Sequence, residues 1–354
     1  MHNLLPYKRI LITGGSGFIG SALIRKLTQA QKLMIFNLDK RLDSSENLSF
    51  FDQKAYQHLF CNLNNQDEVY NAIKISDPEI IIHLAAESHV DRSIVNPRNF
   101  IESNIVGTFN LLQASTNFWR NLSLKRKSIF KFIHISTDEV YGSLGEKGEF
   151  NENSSYAPNS PYSASKAGSD HLVRSWNKTY GLPTLITNCS NNYGPFQFPE
   201  KLIPLVILKA LDGKKIPIYG KGKNIRDWLH VDDHVDAIIK LSIKGKSGEQ
   251  YCIGGNNEQT NLEIVEKICS TMEYLKPRNF KYSELIEFVE DRPGHDKRYA
   301  IDPKKIISQI GWSPKVDFDI GLRETISWYI NNTEWCLKEL KRVNYHGERI
   351  GLIK

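Results

Sequence analysis

Two groups of residues in this chain could carry chemistry. The first is Ser136-Thr137-Asp138-Glu139-Val140-Tyr141-Gly142, directly after the apolar run Phe130 to Ile135. That run reads as a buried strand, and α/β proteins place their chemistry at the C-terminal ends of parallel strands. An adjacent Asp-Glu pair is ordinarily surface charge. At a strand end, two carboxylates in different environments can instead divide the roles of acid and base. The second group is Tyr162 and Lys166, four residues apart in a segment that reads as a helix from Pro161 to Tyr180, so both lie on one face. A nearby ammonium favours the phenolate and is expected to lower the tyrosine pKa. Such a tyrosine can take the proton of an alcohol while a hydride leaves the same carbon. A lone Y-x-x-x-K arises readily by chance in a chain with 15 tyrosines. Its weight comes from lying one loop after a strand end that carries Ser136 and Thr137, both suited to hold a substrate hydroxyl.

These residues need a scaffold, and the first forty positions supply one. Arg9 to Thr13 (RILIT) is a β-rich run. Gly14, Gly17 and Gly20 follow at G-x-x-G-x-x-G spacing, and Phe18, Ile19, Ala22, Leu23 and Leu27 recur at helical period. Strand, glycine turn and helix open a dinucleotide-binding βαβ unit. Gly14 allows the sharp turn, Gly17 lets the backbone approach a pyrophosphate, and Gly20 lets the helix pack close to the strand. The next strand, Leu33 to Leu38, ends at Asp39, where an acid binds the adenosine ribose and repels a 2′-phosphate. Lys40 and Arg41 argue the other way; the acid at the strand end favours NAD as cofactor.

Leu59 to Leu63 reads as a third strand and Ile80 to Leu84 as a fourth, ending in Ala85-Ala86, small residues against which a cofactor can lie. His83 within the fourth reads as a core histidine. A long amphipathic segment spans Pro97 to about Trp119. Ser160-Pro161 is an N-cap and N1 pair for the Tyr162 helix, and Thr184 to Cys189 is a sixth strand. The alternation predicts an α/β fold: a doubly wound, Rossmann-like parallel sheet with right-handed crossovers and a smaller C-terminal substrate-binding domain. The expected division is 1–190 for the dinucleotide domain, with a return near 228–255, and 191–354 mainly for substrate. Val231 to Ile243 reads as a helix and Tyr251 to Gly255 as a strand.

Composition is that of a soluble globular protein, 40% hydrophobic and 24% charged, with a net charge of +6 that forms no basic block. Lys125-Arg126-Lys127 reads as solvated surface, which excludes a nucleic-acid patch. Cys61, Cys189, Cys252, Cys269 and Cys336 are far apart and form no C-x-x-C pair, so reduced core thiols are expected and no metal site. The N-terminal stretch MHNLLPYKRILITGG runs into a glycine turn rather than a cleavage site, and no apolar run has membrane-span length. A cytoplasmic location is expected.

TGGSGFIG at 13–20 and YSASK at 162–166 resemble the extended short-chain dehydrogenase/reductase family, which acts mainly on nucleotide sugars. HLAAESHVDRS at 83–93, STDEVYG at 136–142, NNYGPFQFPEKLIP at 191–204, GKGKNIRDWLHVDDH at 220–234 and DRPGHDKRYAID at 291–302 are similar, in matching order over nearly the whole chain, to its branch that dehydrates dTDP-glucose. The resemblance implies an NAD-dependent lyase on the route to deoxysugars such as dTDP-rhamnose, working as a homodimer joined by two helices per subunit, here 97–119 and 161–180. It implies that Tyr162 is the base at the C4 hydroxyl, tuned by Lys166, with Thr137 on the same oxygen. Glu139 then takes the C5 proton, and a protonated Asp138 releases the C6 hydroxyl as water. Asp138 is expected to hold its proton through burial or through Glu139.

The same resemblance implies cofactor contacts at Gly14, Gly17, Phe18, Ile19, Gly20, Asp39, Lys40, Asn62, Leu63, Leu84, Ala85, Ala86, Ser88, Asn104, Ser136, Tyr162, Lys166 and Asn192. Substrate contacts are implied at Ser88, Thr137, Asn191, Lys201, Leu202, Pro217, Ile218, Tyr219, Arg226, Asn261, Asp291, Arg292 and His295. Arg226 and Arg292 suit a diphosphate. Two positions depart from the pattern. Asn62 stands where the family commonly has an aspartate for the adenine amino group, and its carbonyl can still accept that bond. RLDSSENL at 41–48 replaces a segment that usually contains tyrosine and glycine. The alternatives are a sibling 4-epimerase, a dehydratase of UDP- or GDP-sugars, and a non-catalytic NAD-binding regulator. An epimerase has no use for Asp138 and Glu139, and a regulator has no need of the tyrosine, lysine or acid pair.

Overall fold

The computed structural model describes residues 5–29, 33–41, 55–343 and 345. Its strands are β1 (Arg9–Thr13), β2 (Met34–Asp39), β3 (Tyr56–Phe60), β4 (Ile80–His83), β5 (Lys131–Thr137), β6 (Thr184–Cys189), β7 (Asn191–Tyr193), β8 (Ile216–Tyr219), β9 (Ile225–His230), β10 (Gln250–Ile253), β11 (Glu258–Thr260) and β12 (Ile286–Val289). Seven form one sheet in the order β10-β6-β5-β4-β1-β2-β3, with every pairing parallel. Strand order reverses between β1 and β4, and at such a switch point the strand ends leave a crevice for a ligand. The doubly wound α/β sheet expected from the alternation is therefore present.

Both faces of the sheet are covered, as parallel sheets require. Along β1, Ile10 and Ile12 join the core on one face, with Ile133 and Leu229. Leu11 joins the other, with Phe36, Ile81 and Phe132. This is the two-residue period of a strand buried on both sides. A third core lies beyond the sheet, around Tyr193, Ile203, Trp228, Ile264 and Tyr329. It carries the small sheets β11-β9-β7 and β12-β8. The chain leaves the large sheet after β6, builds β7 to β9, and returns as β10 beside β6, with Tyr251↔Thr187 in register.

Two elements differ from the sequence expectation. The third strand is Tyr56–Phe60, not 59–63. Its register on β2 ends at Asp39↔Phe60, and Asn62 already donates its N–H to Glu68 at the start of the helix Gln66–Ser76. YQHLF holds adjacent polar residues and leaves Gln57 and Phe60 exposed because β3 is the sheet's edge, so its pattern is weaker than that of a buried strand. The segment from Pro97 is helical to Arg120, as expected, but Ile101–Val106 is wound as a π-helix within it. Such π-turns mark positions where a side chain is re-aimed, and Asn104 lies in this one.

Candidate active site

β5 ends at Thr137, and Asp138–Tyr141 turns away as a single 3₁₀ turn. The Thr137 hydroxyl caps that turn. It accepts the Glu139 N–H at 3.3 Å and donates to Asp138 Oδ1 at 3.2 Å. Asp138 is only 1% exposed, and its Oδ2 has no hydrogen-bond partner among the described residues. Burial, then Glu139, then Asp227 push its carboxyl well above the ordinary range, against the pull of Arg226. Glu139 is half-buried. Burial raises its carboxyl above the ordinary range too, and the facing Arg292, Arg226 and Lys201 offset part of that rise. The neighbours therefore differ in kind: Asp138 is a buried acid among other anions, and Glu139 a carboxylate among cations.

Tyr162 and Lys166 sit on the helix Pro161–Tyr180. It opens with a capping box between Ser160 and Ser163, has Pro161 at its first position, and closes on Gly181 at φ 74°. Tyr162 is buried beside this pair, with the Thr137 hydroxyl facing its phenol. The expected lowering of its pKa by Lys166 is not found. Burial and then Glu139 push the phenol well above its ordinary value. Lys166 instead reaches back under the site to donate to the Ile135 carbonyl at 2.9 Å. Helical spacing puts the two residues on one face, but the long lysine side chain finds the strand carbonyl first.

The dinucleotide end is built as the glycine spacing implies. Gly14 has φ +70°, and a Cβ there would lie 2.6 Å from the Ala85 nitrogen. A Cβ on Gly20 would collide with the Gly14 carbonyl oxygen, so this glycine serves the turn rather than the strand. The helix Phe18–Leu27 starts at Gly17 with no side-chain cap, which leaves its first amides for a phosphate. Asp39 accepts N–H groups from Ser16 at 3.1 Å and Arg41 at 3.0 Å. Both cations after it are paired, Lys40 with Glu87 at 2.9 Å and Arg41 with Glu339 at 3.1 Å. Ala85 donates its N–H to the Thr13 hydroxyl, directly after Leu84 and before Ala86. His83 lies within hydrogen-bond distance of Thr13 and Thr108, a satisfied core histidine as expected.

Leu63 is buried, with its carbonyl taken by Asn110. Asn62 is exposed, and its Oδ1 accepts the Asn64 N–H at 3.1 Å, which leaves a second lone pair for another donor. The loop that replaces the usual tyrosine- and glycine-containing segment lies, from residue 42 onward, outside the described residues. Asn104 does not point at open space. It clamps the Glu87 backbone in both directions and donates to Ser165. Asn192 is bonded to His234 and to the Ser190 carbonyl. The Ser136 hydroxyl, expected to face the cofactor or substrate, is engaged elsewhere. It donates to buried Asp170 at 2.8 Å, on the side of the strand away from Thr137.

On the substrate side, Arg226 (β9), Arg292 (the loop after β12) and Lys201 (before the helix Leu202–Leu211) converge on Glu139. Arg226 is buried, bonded to the Asp296 carbonyl at 3.0 Å and stacked 4.3 Å over the Tyr299 ring. Arg292 pairs with Asp91, which also accepts the Tyr219 hydroxyl at 3.0 Å. Lys201 donates to the Ser88 carbonyl at 2.8 Å. His295 bonds to Asp291 at 2.6 Å and stands edge-on to Tyr219; burial and the two arginines lower its pKa to about 4. Asn191 Oδ1 is buried with no partner among the described residues. Pro217 is half-buried beside Tyr219, and Asn261 opens the helix Asn261–Leu275. Ile218 is 2% exposed and belongs to the third core, where its side chain reaches no open surface.

Three comparisons bear on this arrangement. A family model described as GDP-mannose 4,6 dehydratase matches residues 11–325. A probable dTDP-glucose 4,6-dehydratase of Sinorhizobium fredii is 50% identical over 350 residues, covering 98% of this chain and 99% of that protein. The chain belongs to the dTDP-glucose 4,6-dehydratase family. The solved dTDP-glucose 4,6-dehydratase of Bacillus anthracis, in complex with NAD, is 43% identical with a TM-score of 0.81 over 93% of this chain and 99% of its own. That of Streptomyces venezuelae, with NAD and TYD bound, is 38% identical with a TM-score of 0.85 over 94% and 99%.

Within this dehydratase-family chain, several residues of the site were missed by sequence reasoning. Asp91, Asp296 and Tyr299 organise the two arginines, and Asp227 faces Asp138. All four lie inside the quoted motifs at 83–93, 220–234 and 291–302, which was the available signal. Their partners lie 70 to 201 positions away, and no local pattern reveals such pairings.

Proposed function

We propose that this chain is an NAD-dependent dehydratase that converts dTDP-glucose to dTDP-4-keto-6-deoxyglucose and water, a step toward deoxysugars such as dTDP-rhamnose. The observation that carries the reading is the Asp138–Glu139 pair beside Tyr162, with one carboxyl fully buried and pushed well above its ordinary range and the other ringed by cations. A generic alcohol dehydrogenase or a 4-epimerase needs only the tyrosine and lysine.

NAD fits the residues present: Gly14 and Gly20 leave no room for side chains, the uncapped helix start at Gly17 suits a pyrophosphate, and Asp39 stands at the end of β2 with its two neighbouring cations neutralised. Bound NAD supplies a positive charge, the hydride acceptor at C4 and the hydride returned to C6. With that positive charge opposing the rise that burial and Glu139 give the phenol, Tyr162 as phenolate takes the C4 hydroxyl proton while Thr137 holds the same oxygen. The resulting ketone acidifies the C5 proton, which Glu139 removes, and Asp138 protonates the departing C6 hydroxyl. Glu139 then returns its proton to C5. Arg226, Arg292 and Lys201 supply the charge for the diphosphate. They also keep Glu139 ionised enough to act as a base.

Incubation with dTDP-glucose tests the reading: a 4-keto-6-deoxy product supports it, and dTDP-galactose or unchanged substrate overturns it. We further propose a cytoplasmic homodimer. Among the described residues no helix is long and apolar enough to cross a membrane, and all five cysteines are free and buried, which suits a reducing compartment. Ile101, Val106 and Phe109 are 39–44% exposed on the helical segment that packs beside the Tyr162 helix, an apolar strip a second copy can cover. A monomer in light scattering overturns the dimer.

A further inference from the structure

Beneath Lys166 lies a closed polar layer that the dehydration steps do not use. Its centre is Asp170, one helical turn after Lys166 and 1% exposed. Asp170 Oδ2 accepts from the Ser136 hydroxyl at 2.8 Å, the Tyr156 hydroxyl at 2.8 Å and Asn188 Nδ2 at 3.3 Å. Gln250 Nε2 ties Tyr156, Asn188 and Tyr141 together at 3.1, 2.8 and 2.7 Å. Three donors on one oxygen is the arrangement an ionised carboxyl takes. A buried anion supported by neutral donors alone is costly, and a cation close by offsets that cost.

Lys166 is that cation. It bonds to the Ile135 carbonyl while Asp170 bonds to Ser136, so the two charges meet successive residues of β5. The other titratable groups around Lys166 are Tyr162 on its own helix, His83 from β4, His134 from β5 and Cys189 from β6. Burial keeps both histidines neutral, His134 at about 4, and keeps the thiol protonated. His134 Nε2 lies 3.1 Å from Asp170 Oδ1 but out of hydrogen-bond alignment. Among the described residues named here as facing Lys166, Asp170 is thus the one carboxyl. Its grip extends to the site itself, because Asn188 also donates to the Thr137 carbonyl at 3.0 Å.

We propose that Asp170 is a positioning residue for the oxidation step: it supplies the buried negative charge opposite Lys166 and, through Ser136 and Asn188, fixes the end of β5 that carries Thr137. This rests on the reading of Tyr162 and Lys166 given above. Loss of the charge would let the ammonium lose its proton at lower pH, so the alkaline limb of the rate profile moves down.

The test is kcat and KM for dTDP-glucose against pH in NAD-loaded wild type, Asp170→Asn, Asp170→Glu and the double variant Ser136→Ala/Tyr156→Phe. Asp170→Asn is expected to move the alkaline limb of kcat down by about one pH unit or more, a tenfold change in proton affinity. KM should stay within about twofold, since no substrate contact is lost, and Asp170→Glu should restore the limb. The double variant removes two donors and loosens the end of β5, so its kcat should fall with KM unchanged. A uniform fall in kcat for Asp170→Asn with an unmoved limb overturns the proposal, and so does a limb that Asp170→Glu fails to restore. Asp170→Ser, a second neutral variant, carries the same test where Asp170→Asn does not fold. Absence of product from the wild-type chain would instead sink the dehydratase reading.

Discussion

Glu139→Gln separates the two halves of the proposed reaction. The amide keeps the shape of the side chain but cannot take the C5 proton. Removal of a general base costs about 10²–10⁴ in rate, which is about 3–5 kcal/mol of barrier at 1.36 kcal/mol per tenfold, and this loss falls on elimination alone. Oxidation should survive or improve, for a reason visible in the structure. After burial, Glu139 is the largest influence raising the Tyr162 phenol. Neutralising it removes that opposition, so the acidic limb of the oxidation step should move to lower pH. The substitution also leaves Arg226, Arg292 and Lys201 with no loss of their other partners, and diphosphate binding should hold. Rapid mixing of the NAD-loaded variant with dTDP-glucose, followed by absorbance of the reduced cofactor, reads the first half; product analysis reads the second. Accumulation of reduced cofactor with product formed about 10²–10⁴ more slowly is the expected result. Full turnover in the variant refutes the assignment of Glu139 as base, and absence of any reduced cofactor refutes the claim that the two halves are separable at this residue.

Asp138→Asn should abolish elimination yet stabilise the protein at neutral pH. A carboxyl whose folded pKa is raised loses stability as pH climbs from the unfolded value toward the folded one, and a neutral amide escapes that penalty. A gain of about 1–2 kcal/mol at pH 7, shrinking below about pH 4, is expected in denaturant unfolding; equal stability at both pH values would count against a buried, protonated Asp138. Asp39→Asn should weaken NAD and narrow its advantage over NADP, measured by titrating cofactor-stripped protein, since the carboxylate that repels a 2′-phosphate is gone. Ser160→Ala should remove the capping box of the Tyr162 helix at a cost of about 1 kcal/mol, read as a lower denaturant midpoint with unchanged slope.

Much of the site is written in short-range pattern. The turn at Gly14 and the close packing at Gly20 follow from the glycine spacing. The Pro161–Tyr180 helix follows from its Ser160-Pro161 start, and the shared face of Tyr162 and Lys166 follows from 3.6 residues per turn. The position of Asp138 and Glu139 after a buried strand follows from the apolar run before them. All of these depend on contacts within a few residues, which is the range over which backbone sterics, capping and periodicity act. The edge strand at 56–60 was misplaced because a half-exposed strand carries little hydrophobic signal.

Tertiary structure decided what each charge does. Glu139 became a base candidate because Arg226, Arg292 and Lys201 arrive from three distant elements, and Asp138 an acid because burial and Asp227 surround it. Lys166 turned from Tyr162 to the Ile135 carbonyl above Asp170, and Ser136 turned away from the site. Residue order cannot encode these outcomes locally. Coulomb interactions and desolvation depend on distance through space and on the depth of burial, and both come into being only when the sheet closes around the strand end.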